Sequence, residues 1–122
     1  MCPVKYLLDE NVDDIFRKGL HSHYPEIVVW RIGAPTAPPI GTLDPEILIW
    51  CEENDFSLVT NNRESMPDHL RDNLAAGRHI PGIFTLNPNM TISETIEELA
   101  LIWGAAMSGE YADQISYFPL RS

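Results

Sequence analysis

Carboxylate and amide side chains follow directly on the first apolar segment of the chain. The strand-like run Tyr6–Leu8 is followed by Asp9, Glu10 and Asn11. A short hydrophobic strand that ends in carboxylates puts negative charge at the carboxyl edge of a buried sheet, where open α/β folds build their binding sites. Carboxylates crowded there repel each other unless a proton, a cation or a partner relieves the repulsion. Oxygen ligands of this kind suit a hard divalent cation such as Mg²⁺.

Two later segments of the chain carry similar side chains. Polar residues follow the third strand-like segment, and acidic residues open the helix-like segment before it. Because the carboxyl ends of parallel strands meet at one edge of a sheet, we expect these groups to lie close together. The expected set comprises Asp9, Glu10, Asp44, Glu46, Thr60, Asn61, Asn62 and Glu64. Five of them are carboxylates, and such a cluster costs stability unless a cation binds.

Most of these residues also have a purely structural interpretation. Asn11 and Asp44 are both placed to be helix N-caps, whose side chains accept hydrogen bonds from the first backbone N–H groups of a helix. Glu10 can face solvent, and the Thr60 hydroxyl can satisfy backbone groups at the end of its strand. Asp9 is the hardest to explain structurally, because it directly follows a buried strand.

Segments typical of strands and helices alternate along the chain. Runs of β-branched and aromatic residues predict strands at residues 5–8, 27–31, 56–60 and 82–86. Helices are predicted at residues 12–23, 44–54, 65–77 and from Thr91 to about Met107, with a short edge strand at 115–119. This alternation predicts one three-layer α/β domain over residues 1–122, with a mainly parallel sheet of four to five strands covered on both faces.

Local motifs mark where several elements begin and end. Asp44-Pro45 is a strong helix start, Gly77 is expected at the C′ position of the third helix, and Thr91 with Glu94 matches the capping-box motif. Residues 32–43 contain three prolines and two glycines and predict a long loop. A loop of this length is either a functional segment or a surface connector.

The composition limits the classes of function. The 122 residues carry a formal net charge of −10, which argues against broad binding of nucleic-acid phosphates but leaves room for a local basic patch. No segment approaches the roughly 20 apolar residues of a membrane helix. The N-terminus lacks the arrangement of a signal peptide. We therefore expect a soluble cytoplasmic protein in which Cys2 and Cys51 are free thiols.

Three other α/β classes with sites at the same edge are excluded by single residues. A response-regulator receiver domain needs an aspartate at the end of the third strand, where this chain has Thr60. A dinucleotide-binding domain needs a glycine-rich first turn, and the turn after Leu8 contains no glycine. A phosphatase of the haloacid-dehalogenase type needs an aspartate at the position that Asn11 occupies.

The same motifs resemble a known family. LLDEN after the first strand, DPEIL at the second helix and LVTNN after the third strand are similar in type and order to the short PIN-like proteins, formerly catalogued as a domain of unknown function. The resemblance covers about residues 5–86. It implies a ribonuclease in which carboxylates bind Mg²⁺ or Mn²⁺ and activate a water against a phosphodiester. Small members of the wider family resemble toxins of toxin–antitoxin pairs, which implies RNA as the substrate and an antitoxin as a protein partner.

Carried onto this chain residue by residue, the resemblance implies a site role for several polar residues. Asp9 matches the first-strand acid, Asp44 or Glu46 the helix acid, and Thr60 the hydroxyl after the third strand. The implied catalytic residues are Asp9, Asp44, Glu46, Thr60 and Asn62. The implied metal ligands are Asp9, Glu10, Asp44, Asn62 and Glu64.

The chain departs from the family motif at Asn62, a position that is normally acidic. An amide can ligate a hard cation but brings no charge, so affinity for Mg²⁺ should fall unless Glu64 substitutes. Two hypotheses follow. The first, favoured by the Asp9–Glu10 pair and by the acids Asp44 and Glu46, is a metal-dependent ribonuclease. The second, favoured by Asn62, the net charge and the Pro-rich loop, is a catalytically weak or inactive binding module that acts through a protein partner.

Overall fold

The computed structural model describes residues 4–106 and 109–120, in which strands and helices alternate as predicted. The strands are β1 (Tyr6–Leu8), β2 (Val29–Arg31), β3 (Ser57–Thr60), β4 (Ile83–Thr85) and β5 (Ile115–Tyr117). The helices are α1 (Ile15–His23), α2 (Asp44–Asn54), α3 (Met66–Ala75) and α4 (Ile92–Ala105). The strands are shorter than the predicted segments by one or two residues at their ends. The predicted end of the last helix at Met107 and the predicted thiol of Cys2 lie outside the described residues.

All five strands are parallel, in the order β2-β1-β3-β4-β5. The α/β class, the parallel sheet and the added edge strand β5 are therefore confirmed. From β1 the chain moves outward to β2 and then returns to the other side of β1 to form β3. The sheet is thus wound in two directions from the β1–β3 pair, and ligands of such folds bind where the carboxyl ends of these two strands separate.

The core has two parts, one on each face of the sheet. Tyr6, Leu8, Val59 and Phe84 face α1 and α4, whereas Leu7, Leu58 and Ile83 face α2 and α3. This division of residues between the two faces follows from the alternation of side chains along a strand. Because both faces are covered, every residue of β1, β3 and β4 is buried, as expected of the central strands of a parallel sheet. Cys51 is buried in the second part as a free thiol, as predicted.

One predicted helix start and two predicted N-caps are wrong, whereas α2 begins at Asp44 as predicted. Helix α1 begins at Ile15 rather than Val12, because the Val12 N–H donates to the Asp9 carbonyl and closes a turn before the helix; Asn11 is therefore not its N-cap. Helix α2 has Leu43 at its N-cap position, and Asp44 is its first helical residue. The Asp44 carboxylate makes no capping hydrogen bond and is left to interact with the β3–α3 loop.

The motifs predicted at the start of α4 and at the end of α3 are confirmed. At the start of α4 the Thr91 hydroxyl accepts from the Glu94 N–H at 3.1 Å, while the Glu94 carboxylate accepts from the Thr91 N–H at 2.8 Å. Gly77 follows the C-cap of α3 with a φ of +80°, a left-handed conformation that glycine adopts without strain. Among the helices of the described ranges, none is long and apolar enough to cross a membrane.

A matched pair of glycine substitutions tests how closely α1 approaches α4. A Cβ at Gly104 would meet no atom within 4 Å, so Gly104→Ala should stabilise the protein by about 0.5–1 kcal/mol through helix propensity. A Cβ at Gly19 would overlap the Ile96 Cδ1 methyl, so Gly19→Ala should forfeit that gain or destabilise. Ile96→Val removes the overlapping methyl and should restore part of the loss in a double-mutant cycle measured by urea denaturation. Equal gains for both glycines would contradict this packing.

Candidate functional site

The polar residues gather around the carboxyl ends of β1 and β3. Asp9 follows β1, Thr60 ends β3, and the β3–α3 loop carries Asn62. The register pairs Leu8 with Val59, which sets the next residues of the two strands, Asp9 and Thr60, beside each other. Parallel pairing of the two central strands therefore decides which polar side chains meet.

Asp9 is buried, with 6 % of its surface exposed, and both of its carboxylate oxygens accept hydrogen bonds. Oδ1 accepts from the Glu10 N–H at 2.8 Å, and Oδ2 accepts from the Thr60 hydroxyl at 2.9 Å. Burial raises the pKa of Asp9 above its ordinary value. The two hydrogen bonds oppose this rise, and the nearby charges of Asp44 and Glu10 add to it. Asp9 is thus a carboxylate that protonates more readily than one in water.

Asn62 links this carboxylate to a second one. Its backbone N–H donates to the Thr60 hydroxyl at 3.0 Å, and its side-chain nitrogen donates to Asp44 Oδ2 at 3.1 Å. Asp9, Thr60, Asn62 and Asp44 therefore form one hydrogen-bonded series, called here the Asp9–Asp44 chain.

The orientation of the Asn62 amide follows from its neighbours. The Ser65 backbone N–H can only donate, and it lies 3.1 Å from Asn62 Oδ1. The amide nitrogen consequently faces Asp44, and it also lies 2.7 Å from the Ser65 hydroxyl. In this orientation Asn62 offers a donor to the acidic site, and its oxygen is turned away. A cation ligated by Asn62 would require the amide to rotate and the Ser65 bond to break.

The Pro-rich loop returns to the same edge. The Glu10 carboxylate accepts from the Gly41 N–H at 3.1 Å, which joins the residue after Asp9 to the loop before α2. This contact places the loop that precedes α2 beside the carboxyl edge of the sheet. Ile40 and Leu43 of this loop are 71 % and 67 % exposed, so the edge carries apolar as well as acidic surface.

The structure gathers some of the predicted site residues and leaves others apart. Asp9, Asp44, Thr60 and Asn62 share one hydrogen-bonded chain, and Glu10 lies beside it. Glu46 and Glu64 are exposed residues outside that chain. Within residues 4–106 and 109–120, no group of three or more His, Cys, Asp and Glu side chains is arranged to hold a metal ion.

Two residues of this region were not predicted. Ser65 fixes the Asn62 amide, and His69 Nε2 lies 3.5 Å from Asp44 Oδ2. Their positions in the sequence indicate that they lie near Asn62. Ser65 is three residues after Asn62, at the start of α3, and His69 follows one helical turn later. His69 otherwise belongs to a stretch of basic residues that resembles a solvated helix face.

No protein-family model, curated protein or solved structure matches this chain. The similarity of its motifs to the PIN-like proteins therefore stays a prediction from the sequence.

Asp9→Asn should stabilise the protein at neutral pH in the absence of metal. The folded pKa of Asp9 lies above the unfolded value, so the ionised carboxylate costs stability above the folded pKa, and the cost disappears below about pH 3.9. Asparagine keeps an acceptor for the Glu10 N–H and can donate to the Thr60 hydroxyl. Thermal melts in a chelator should therefore show a higher Tm for Asp9→Asn at pH 7 and no difference near pH 3. The exposed acid Glu53 supplies the control, Glu53→Gln, which should show neither effect. A pH-independent difference would contradict the assignment.

Asn62→Asp should destabilise the metal-free protein. The substitution removes the donor to Asp44 and sets a second carboxylate against it, a loss of about 1–3 kcal/mol for a hydrogen bond to a charged group. Asn89→Asp adds the same charge in an exposed turn and should change stability far less. In urea denaturation, Mn²⁺ should rescue Asn62→Asp more than it stabilises the wild type, because binding to the folded state adds to its stability. Equal destabilisation by the two substitutions would show that Asn62 does not offset the acidic charge.

Proposed function

We propose that this chain is a divalent-metal-dependent ribonuclease of the PIN-like type, with its site at the Asp9–Asp44 chain. The observation that carries the proposal is the buried Asp9 carboxylate, which lies at the point where the sheet changes winding direction. A buried ionisable group with a raised pKa at such a point has a functional rationale that packing alone does not supply. The likeness of the LLDEN, DPEIL and LVTNN motifs to PIN-like proteins supports the reaction class.

The proposed cation is Mg²⁺ or Mn²⁺, because the acidic donors near Asp9 are carboxylates. Mg²⁺ commonly uses one or two protein carboxylates and completes its coordination with waters and substrate phosphates. Asp9 and Asp44 would hold the cation, with Glu10 beside them, whereas Asn62 as oriented contributes a nitrogen donor that repels a cation. Bound there, a divalent cation would lower the pKa of a water and neutralise charge on the phosphodiester. The roles of Glu46 and Glu64 stay predictions.

The residues of the chain itself prepare this site. The Thr60 hydroxyl and the Glu10 N–H hold the Asp9 carboxylate in one orientation. Asn62 and Ser65 position the β3–α3 loop against Asp44. Because a cation needs Asp9 ionised, affinity should rise as the pH passes upward through the raised pKa of Asp9.

The proposed substrate is RNA in the cytoplasm, and the proposed partner is an antitoxin-like protein. The net charge of −10 limits the electrostatic attraction of RNA, so recognition has to rest on local contacts. The exposed Ile40 and Leu43 beside the site favour a protein partner, because large apolar side chains at such an edge lose solvent exposure on binding.

A second candidate is a catalytically weak or inactive PIN-like binding module. It is favoured by Asn62, whose nitrogen donates to Asp44 and thereby lowers the electrostatic need for a cation. In this case the fold is retained for contact with a protein partner.

Cleavage of labelled single-stranded RNA in Mn²⁺ decides between the two candidates. The ribonuclease hypothesis expects metal-dependent cleavage that falls roughly 100-fold or more in Asp9→Asn and Asp44→Asn, the scale of loss when charge stabilisation is removed from a site. Glu53→Gln lies at the far end of the helix that begins with Asp44 and should cleave like the wild type. Cleavage that survives Asp9→Asn would overturn the proposed site. An inactive wild type whose Asn62→Asp variant is active would favour the binding module.

A further inference from the structure

A pocket of about 460 Å³ opens beside the Asp9–Asp44 chain, on the face of the sheet covered by α1 and α4. The β1–α1 loop, the β3–α3 loop and the β4–α4 loop form its polar side. Its size lies in the range of small-molecule sites. Its lining includes Asn11, Phe16, Asn61, Arg63, Asn87 and Met90.

The pocket and the Asp9–Asp44 chain share two loops. Asn11 comes two residues after Asp9, and Asn61 lies between Thr60 and Asn62. The Asn61 side-chain nitrogen donates to the Asn11 carbonyl at 3.1 Å, which ties the two loops together. A ligand that enters the pocket therefore lies next to the loops that hold the acidic site.

The polar lining is rich in amides. Asn11, Asn61 and Asn87 each carry a donor and an acceptor, and Asn87 Oδ1 is held by the Asn89 N–H at 2.9 Å. Paired donors and acceptors of this kind match the edges of nucleobases, whose hydrogen-bonding groups alternate in the same way.

The remaining lining is apolar apart from Arg63, Asp13 and Thr95. Phe16, Leu86, Met90 and Ile92 offer side chains against which a planar ring can pack, as unpaired bases do in single-strand binding sites. The Arg63 guanidinium donates to the Leu86 carbonyl at 3.2 Å and lies 5.4 Å from the centre of the Tyr117 ring. These contacts use a small part of its five N–H donors, which leaves others to bind a phosphate.

We propose that this pocket takes one unpaired nucleotide, with the base among the amide and apolar side chains and the phosphate at Arg63. The identity of the ligand as part of an RNA strand rests on the proposed ribonuclease function. The same chemistry is present in a free mononucleotide, and the two sources are separated by the test below. In a strand, the pocket would fix one base on the α1–α4 side while the backbone crosses the shared loops toward Asp9.

The test is an NMR titration of the ¹⁵N-labelled full chain in EDTA, where no cleavage can occur. The probes are the nucleoside 5′-monophosphates, ribose 5-phosphate, which lacks a base, and a short single-stranded RNA. We expect shifts of the amides of residues 11, 61, 63 and 87 with the nucleotides and at least about tenfold weaker binding of ribose 5-phosphate. Tighter binding of the RNA than of every mononucleotide would identify a strand as the ligand, and equal binding would identify a free nucleotide.

Two exposed positions allow variants that preserve the core. Asn61→Leu should weaken nucleotide binding about tenfold, and Arg63→Gln should weaken binding of the monophosphates while leaving unchanged the binding of the parent nucleosides, which are titrated as a further probe. The control is Asn89→Leu in the exposed turn beside the pocket, which should bind like the wild type.

The outcomes separate this proposal from the ribonuclease proposal. Three results would refute nucleotide binding in the pocket even if RNA is cleaved. They are equal binding of ribose 5-phosphate and nucleotides, no binding of any probe, and unchanged nucleotide binding by Asn61→Leu. Base-dependent binding without metal-dependent cleavage would support nucleotide binding in the pocket and refute the ribonuclease proposal.

Discussion

The burial of one carboxylate at the junction of the two central strands is the constraint on which the site depends. Asp9 lies where β1 leaves the sheet, and its charge is expensive in a buried position. The Glu10 backbone N–H and the Thr60 hydroxyl offset part of this cost by donating hydrogen bonds to the carboxylate. Because Thr60 ends β3, the compensation exists only when β1 and β3 are paired in their observed register. The same pairing that completes the core therefore also orients the acid.

Asn62 extends the compensation to the second carboxylate. An acid at this position, as in the PIN-like motif, would add another negative charge beside Asp9 and Asp44 and increase the repulsion between them. The amide instead supplies a neutral donor to Asp44 and an acceptor to the Ser65 N–H at the start of α3. The metal-free site is consequently less repulsive than the motif alone suggests. The amide also lowers the affinity of the site for a divalent cation, because it brings no negative charge. For this reason a binding module is proposed as the second candidate beside the ribonuclease.

The two faces of the sheet carry different features near this edge. The face under α2 and α3 carries the Asp9–Asp44 chain, and the face under α1 and α4 carries the amide-lined pocket. The loops after β1 and β3 border both, since Asn11 and Asn61 line the pocket and flank the acids. In a chain with net charge −10, the proposed binding of a base in this pocket would supply affinity that does not depend on many phosphate contacts.

The sequence by itself determined the α/β class, the order of elements, the parallel sheet and the presence of acids at its carboxyl edge. These features rest on apolar runs, helical spacing and local motifs such as the Thr91–Glu94 capping box, all of which act over a few residues. Tertiary structure alone decided what individual polar groups do. Asp9 and Thr60 lie 51 positions apart in the sequence, and the hydrogen bond between their side chains exists only because β1 pairs with β3. The direction of the Asn62 amide depends on Ser65 and on Asp44, 18 positions earlier in the chain, and no local motif contains that contact. Hydrogen bonds between distant segments form only after the strands have paired, so the chemistry of the site becomes visible only in the folded chain.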